Sequence, residues 1–173
     1  MLLKDKVCVI AGAASLRSIG YATAELFAEH GAKVVVVDVA MSDSVLAEVR
    51  AAIEARVTGP VSVHGVRCDI SNAKDCDDLV SEVVTLHGTI DCLVNSAGIV
   101  RSQPILEISE KELDLMFDIN LKGAFFLCQS VLKIFSENRS GTIVNVASLA
   151  AQRGGGLVGG AHYAASKGGM LSL

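Results

Sequence analysis

Short apolar runs alternate with longer amphipathic stretches along the whole chain. The runs are VCVIA (Val7–Ala11), KVVVVD (Lys33–Asp38), VSVHGV (Val61–Val66), IDCLVN (Ile90–Asn95) and TIVNVA (Thr142–Ala147). Helical periodicity fills the stretches near 20–30, 44–57, 72–87 and 110–137. This β-α-β-α rhythm predicts an α/β fold: a doubly wound parallel sheet with helices on both faces. Continuous apolar strands such as VVVV belong to the sheet interior, where both faces are covered. The third run alternates instead, with Val61, Val63 and Gly65 on one face and Ser62 and His64 on the other. It reads as an edge strand, the place of strand three in the order 3-2-1-4-5-6.

Punctuation supports these boundaries. Ser109 and Glu112 form a capping box at the start of the long fourth helix. Gly31 and Gly88 follow helical stretches, where a left-handed C-cap is expected. Pro60 and Pro104 fall in loops, and no repeat or low-complexity tract interrupts the pattern.

Composition narrows the classes. The chain has 173 residues, 51% hydrophobic and 20% charged, which excludes a disordered polymer and suits one domain. A net charge of −4 without a lysine/arginine cluster argues against a nucleic-acid partner and against a polybasic membrane anchor. No apolar stretch in the sequence approaches the ~18–20 residues that span a bilayer. Lys4 and Lys6 before Val7–Ala11 imitate a signal peptide, but the run is short and Asp5 interrupts the basic end, so a first strand is preferred. Cys8, Cys68, Cys76, Cys92 and Cys128 are odd in number and form no C-x-x-C pair, which suits a reducing cytoplasm. His30, His64, His87 and His162 are scattered, and no Cys/His set has zinc-ligand spacing.

Between the first strand and the first helix lies Gly12-Ala-Ala-Ser-Leu-Arg-Ser-Ile-Gly20. A small, glycine-bearing turn at a helix N-terminus suits a pyrophosphate, because backbone can approach closely and unpaired N–H groups favour the anion. Asp38 ends the second strand, 18 residues after Gly20. A carboxylate there accepts hydrogen bonds from both hydroxyls of an adenosine ribose and repels a 2′-phosphate. Val39 follows it, where a basic residue would hold that phosphate, so NAD is favoured over NADP. Arg17, inside the phosphate turn, is the counter-indication.

Tyr163 and Lys167 stand four residues apart, on one face of a helix. An ammonium beside a phenol stabilises the phenolate and makes tyrosine usable as an acid/base near neutral pH. Ser148 precedes them, just past the carboxyl end of the fifth strand, where ligands of doubly wound sheets bind. With these residues the chain resembles the short-chain dehydrogenase/reductase superfamily over essentially its whole length. Ala11-Gly12 and Ile19-Gly20 match the ends of that family's glycine turn. Two extra residues lie between them, and Ser18 stands at the middle glycine. The longer turn is similar to that of bacterial enoyl-acyl carrier protein reductases. Asp69 in Cys68-Asp-Ile-Ser71 matches the acidic residue near the adenine, and Asn95-Ser-Ala-Gly98 matches the N-N-A-G segment with serine in second place. Asn120, Ser148, Tyr163 and Lys167 match the catalytic tetrad.

The resemblance implies that Gly12, Ser15, Arg17, Ser18, Ile19, Gly20, Asp38, Asp69, Ile70, Asn95, Ala97 and Gly98 contact the cofactor, together with Tyr163 and Lys167. It implies that Tyr163 exchanges the proton of the substrate oxygen and that Ser148 steadies that oxygen. Lys167 would favour the phenolate and hold the nicotinamide ribose, and Asn120 would anchor a water leading protons toward Lys167. Three residues separate tyrosine from lysine, as in the carbonyl/alcohol branches; the enoyl reductases have six. The expected activity is NAD-dependent interconversion of a secondary alcohol and a ketone. The alternatives are an NADP-dependent 3-oxoacyl-thioester reductase and a nucleotide-binding module without turnover. Residues 99–160 resemble 3-oxoacyl-acyl carrier protein reductases and sugar or polyol dehydrogenases equally, and the glycine-rich loop 154–160 is expected on the substrate side. Met116, Phe117, Leu121, Phe125, Phe126, Leu127 and Leu132 exceed one core-facing stripe. The resemblance implies that this helix and the Tyr163 helix pair with copies in a homotetramer, or else a homodimer. Five strands are legible where the sheet order needs a sixth, and Leu173 follows Lys167 by only six residues. The expectation is one nucleotide-binding Rossmann domain over 1–173 that is incomplete at its C-terminal end, since an apolar edge strand is normally covered.

Overall fold

The computed structural model describes residues 1–156 and 158–173. Five strands form one parallel sheet in the order β3-β2-β1-β4-β5. They are β1 (Val7–Ala11), β2 (Lys33–Asp38), β3 (Ser62–Arg67), β4 (Cys92–Asn95) and β5 (Thr142–Asn145). The first two match the sequence reading residue for residue. The last two are shorter, although backbone bonds continue past both ends, from Asp91 N to Val7 O and from Val146 N to Asn95 O, each at 2.9 Å. Asp91 accepts a hydrogen bond from Val7 N at 2.9 Å and from Lys6 Nζ at 2.8 Å.

Apolar residues on both faces of the strands make two cores. Val7, Val9, Ala11, Val35, Val37, Val66 and Leu93 meet α3 (Ala73–His87) and α5 (Gly123–Asn138) through Leu79, Val83, Leu127 and Val131. Cys8, Ile10, Val34, Val36, Val63 and Val94 meet α1 (Ile19–Glu29) and α2 (Asp43–Glu54) through Ala24, Ala28, Val49 and Ile53. The alternation read in the third run has this cause. Val63 and Gly65 face α2, and a methyl group on Gly65 would lie 2.9 Å from Leu46. His64 faces α3, 3.0 Å from Glu82.

The stretch 110–137 departs from the single α-helix expected of it. It consists of α4 (Glu110–Phe117), a π-helical turn (Asp118–Lys122) and α5 in one continuous run. Of the expected capping box only half forms. Ser109 Oγ accepts from Glu112 N at 3.2 Å, but the Glu112 carboxylate takes two bonds from Arg101, at 2.7 and 2.8 Å. A charge-assisted pair outcompetes a neutral backbone donor. The run Glu110–Asn138 has 29 residues and, by length and composition alone, is apolar enough to cross a membrane. This corrects the sequence expectation that no such stretch exists. Its apolarity has a use in the fold, since Leu127, Cys128, Val131 and Phe135 pack into the sheet's core. After β5 come one helical turn, α6 (Ala150–Arg153), and α7 (Ala161–Ser172), which packs on α4, α6 and the π turn. Gly88 ends α3 with φ +80°, and Gly31 follows α1 with φ +86°, as their positions predict.

Leu93 is fully buried, registered between Val9 of β1 and Ile143 of β5. Leu93→Ala is expected to cost about 2–5 kcal/mol of stability, read as a lower urea midpoint with an unchanged slope.

Candidate active site

The glycine turn sits at the carboxyl end of β1 and is pinned from two sides. Gly12 N donates to Val37 O at 2.8 Å, and Ala14 N donates to Asp38 Oδ2 at 3.2 Å. Gly12 has φ +83°, and a methyl group there would lie 2.7 Å from Ala97 N. One on Gly20 would lie 2.4 Å from Gly12 O and 2.8 Å from Ser96 Oγ. Both positions therefore require glycine for close approach, and Gly12 for conformation as well. Ser18 caps α1, its Oγ accepting from Tyr21 N at 3.0 Å. A hydroxyl used in this way keeps its O–H free to donate to an anion. Ser15 Oγ accepts from Arg17 N at 3.3 Å, while the Arg17 side chain stands in solvent.

On the other side of the turn, β4 runs into Asn95-Ser-Ala-Gly98. Asn95 is fully buried; its Oδ1 accepts from Ala97 N at 3.2 Å, and its Nδ2 donates to Asn145 Oδ1 at 3.3 Å. It shapes the segment from within. Ser96, named in the sequence only as a replacement for asparagine, donates from Oγ to Ala11 O at 2.7 Å. It locks β4's end against the glycine turn.

Asn120 lies on the π turn and is 0% exposed. Its Oδ1 accepts from Ile99 N at 2.8 Å; its Nδ2 donates to Ile99 O at 2.9 Å and to Ser166 Oγ at 3.1 Å. A π turn shifts one side chain out of the α-helical register, a deformation found mostly at functional sites. Lys167 is 5% exposed, and its Nζ donates to Val146 O at 2.8 Å. The two groups converge: a methyl on Gly98 would sit 3.0 Å from Asn120 Oδ1 and 3.5 Å from Lys167 Nζ. Burial holds the Lys167 ammonium below its ordinary pKa.

Tyr163 lies half-buried on α7, its ring against Gly159, where a methyl would come within 2.3 Å. Ser148 Oγ accepts from Ala150 N at 3.2 Å, at the start of α6. The loop between them is tied down: Gly156 N donates to Gly159 O at 3.0 Å, and Gly160 N to Arg101 O at 2.8 Å. His162 is buried with neither ring nitrogen paired among the described residues, and Gln103 Oε1 is buried and unpaired in the same sense. Sequence reading passed over both, because a lone His or Gln carries no pattern.

A cleft of about 510 Å³ opens along the carboxyl ends of the strands. Of the residues expected at the cofactor, Gly12, Ser15, Ser18, Asp38, Asp69, Ile70, Ala97 and Gly98 line it. Arg17, Ile19, Gly20, Asn95, Tyr163 and Lys167 do not; Gly20 and Asn95 lie buried behind its wall, and Arg17 and Ile19 are exposed. Val37, Cys68, Leu115, Asp118 and Ile119 line it too, though the sequence pointed to none of them. Leu115, Asp118 and Ile119 reach it through the fold of α4 and the π turn, which no local pattern announces. Three carboxylates (Asp38, Asp69, Asp118) and no lysine or arginine face this cleft among the described residues. Asp38 Oδ1 also accepts from Ala40 N at 3.1 Å, and Asp69 Oδ1 accepts from Ser71 N and Oγ at 3.0 and 2.7 Å.

A parallel sheet with a glycine turn leading into a helix, and a cleft over the strand ends, defines a Rossmann-type nucleotide-binding protein. The short chain dehydrogenase family model matches residues 6–173, and the chain belongs to that family. It is 36% identical to the 3-oxoacyl-acyl-carrier-protein reductase of Thermotoga maritima, over all of this chain and 67% of that protein. It is 38% identical to the galactitol 2-dehydrogenase of Agrobacterium fabrum, over 99% of this chain and 63% of that protein. The crystal structure of a short chain dehydrogenase from Mycobacterium smegmatis superposes with a TM-score of 0.89 at 31% identity, covering 99% of this chain and 69% of that one. The chain thus spans about two thirds of the length of these proteins.

Because Lys167 titrates lower in the folded state than in the unfolded chain, the unfolded state binds more protons between the two pKa values. Wild-type stability therefore gains as pH rises through that window toward about 10.4. Lys167→Met, which cannot titrate, is expected to lack this gain. Its stability relative to wild type should fall as pH is raised from neutral to about 10 in urea titrations.

Proposed function

We propose that this chain is the nucleotide-binding and catalytic part of an NAD-dependent oxidoreductase that interconverts a secondary alcohol and a ketone. The observation that carries the reading is the convergence of Asn120 and Lys167 on Gly98, at the end of a cleft lined by Gly12, Ser18, Asp38 and Asp69. The cleft fits a dinucleotide: its turn has no room for β-carbons at Gly12 and Gly20, and a ribose diol finds acceptors in Asp38. NAD(H), when bound, supplies the hydride chemistry that no side chain has. The protein's part is proton transfer and positioning. Tyr163 gives or takes the proton at the substrate oxygen, and Ser148 holds that oxygen by a hydrogen bond. Lys167, anchored to Val146 O, keeps a cation next to the phenol and the ribose. Asn120, saturated by Ile99 and Ser166, fixes the floor from which a water would lead protons to Lys167. Residues 1–173 act as one nucleotide-binding unit in this reading.

The preference for NAD rests on Asp38 and on the absence of lysine or arginine from the cleft lining among the described residues. An NADP-dependent reductase of 3-oxoacyl thioesters is the second reading, favoured by the similarity to the Thermotoga maritima protein. Phe125 and Leu132, exposed two turns apart on one face of α5, support a homotetramer or homodimer built on that helix. Five free cysteines, four of them buried, suit a reducing cytoplasm.

Two experiments test this. NADH-coupled turnover over a panel of secondary alcohols and ketones is expected to vanish in Tyr163→Phe and to fall at least 100-fold in Lys167→Ala, roughly the weight of a positioned acid/base. Full activity in Tyr163→Phe would sink the assignment. In fluorescence titrations, Asp38→Ala is expected to shift the NADH:NADPH affinity ratio toward NADPH by about tenfold, equivalent to ~1.4 kcal/mol. An unchanged ratio would remove Asp38 from cofactor discrimination.

A further inference from the structure

A second cavity, of about 410 Å³, lies beside Ser148 and is separate in its lining from the cofactor cleft. Its walls are Ser148, Leu149, Ala150, Arg153, Gly154, Gly155, Gly156 and, among the described residues, Val158. Arg153 is the one charged side chain among them. No carboxylate faces it, and its guanidinium has no hydrogen-bond or ion-pair partner among the described residues. Among the described residues the two linings differ: the cofactor cleft has three carboxylates, one of them (Asp118) paired with Lys122, and the Ser148 cavity has Arg153 and no carboxylate. In a chain of net charge −4, Arg153 favours an anion in this cavity.

The wall is built. Gly155 packs on the start of α7, where a methyl would lie 2.8 Å from Ala161 N, and the bonds from Gly156 to Gly159 and from Gly160 to Arg101 hold the loop. Arg153 ends α6, whose first residue lies two beyond Ser148, so one short helical turn links the two residues. Both line one cavity of about 410 Å³, which keeps them within the span of a small molecule. That spacing suits a short substrate with its oxygen at Ser148 and a second polar end at Arg153. A guanidinium presents a planar fork of donors that matches a carboxylate. Leu149 and Val158 are exposed and apolar, and offer a surface to the carbon chain between the two ends.

We propose that Arg153 is a specificity-determining residue which binds the carboxylate of a short oxo acid or hydroxy acid. This rests on the reading of Ser148 as the holder of the reacting oxygen. The substrate class is then an anionic ketone/alcohol pair rather than a neutral polyol.

The test separates binding from turnover. The full chain, with NADH present, is titrated calorimetrically with 4-oxopentanoate and with its methyl ester, which differ only in charge at the remote end. Wild type is expected to bind the acid at least about tenfold more tightly than the ester. Arg153→Gln should erase the difference, Arg153→Lys should retain part of it, and the ester's affinity should stay unchanged in both. Equal binding of acid and ester by wild type, an unchanged ratio in Arg153→Gln, or no heat from the acid up to about 10 mM would each overturn the proposal. Turnover of the ester in Arg153→Gln is measured alongside, and an unaltered kcat there shows that the substitution spares the catalytic groups. An Arg153-dependent acid preference, in a protein without turnover of either compound or of the wider panel of alcohols and ketones, would leave the carboxylate subsite standing and defeat the proposed turnover alone. Turnover with no such preference would do the reverse.

Discussion

One buried amide holds the site together. Asn120 sits at 0% exposure and makes paired bonds to both backbone groups of Ile99, with a third to Ser166. The amide and its partners belong to three separate pieces: the π turn, the segment after β4 and α7. A buried amide left with any of these bonds unmade would carry a penalty of about 1–3 kcal/mol per group. The three pieces therefore dock in one arrangement, and that arrangement brings Lys167 Nζ and Asn120 Oδ1 to the same glycine. Tyr163 and Ser148 then take their places on the frame that α7 and α6 supply.

The second constraint is shortage of space. Gly12, Gly20, Ser96 and Ala97 approach so closely that a single added methyl would collide with backbone at 2.4 to 2.7 Å. Such contact fuses the ends of β1 and β4 into one surface, and the cleft lies over that surface. Rigid strand ends carrying short loops are the usual means of fixing a ligand above a parallel sheet. Here the loops are further tied by Asp38 to Ala14 and by Ser96 to Ala11.

Much of this was legible in the residues. The first two strands could be read to the residue, because short continuous apolar runs with sharp polar or glycine boundaries suit interior parallel strands. Gly31 and Gly88 marked the ends of α1 and α3, since only a left-handed residue stops those helices there. Elsewhere a local signal lost to a distant partner. Glu112 had the spacing of a capping box, and Arg101 drew its carboxylate away. Asn95, expected at the cofactor, spends its amide on Asn145, a partner 50 residues away. The long helix read as uniform, and its π turn follows from Asn120 being drawn to Ile99, a contact between residues 21 apart.

The sequence by itself determined what depends on near neighbours: strand and helix periods, glycine turns, the parallel α/β class, and the chemical identity of the tyrosine, lysine, serine and asparagine. Period and propensity act over a few residues, so they can be read along a line. Only the tertiary structure decided which of those groups meet. The Gly98 convergence and the three-carboxylate lining both join residues far apart in the chain. Those contacts are set by burial and by the need to pair every buried polar group, which no local pattern encodes.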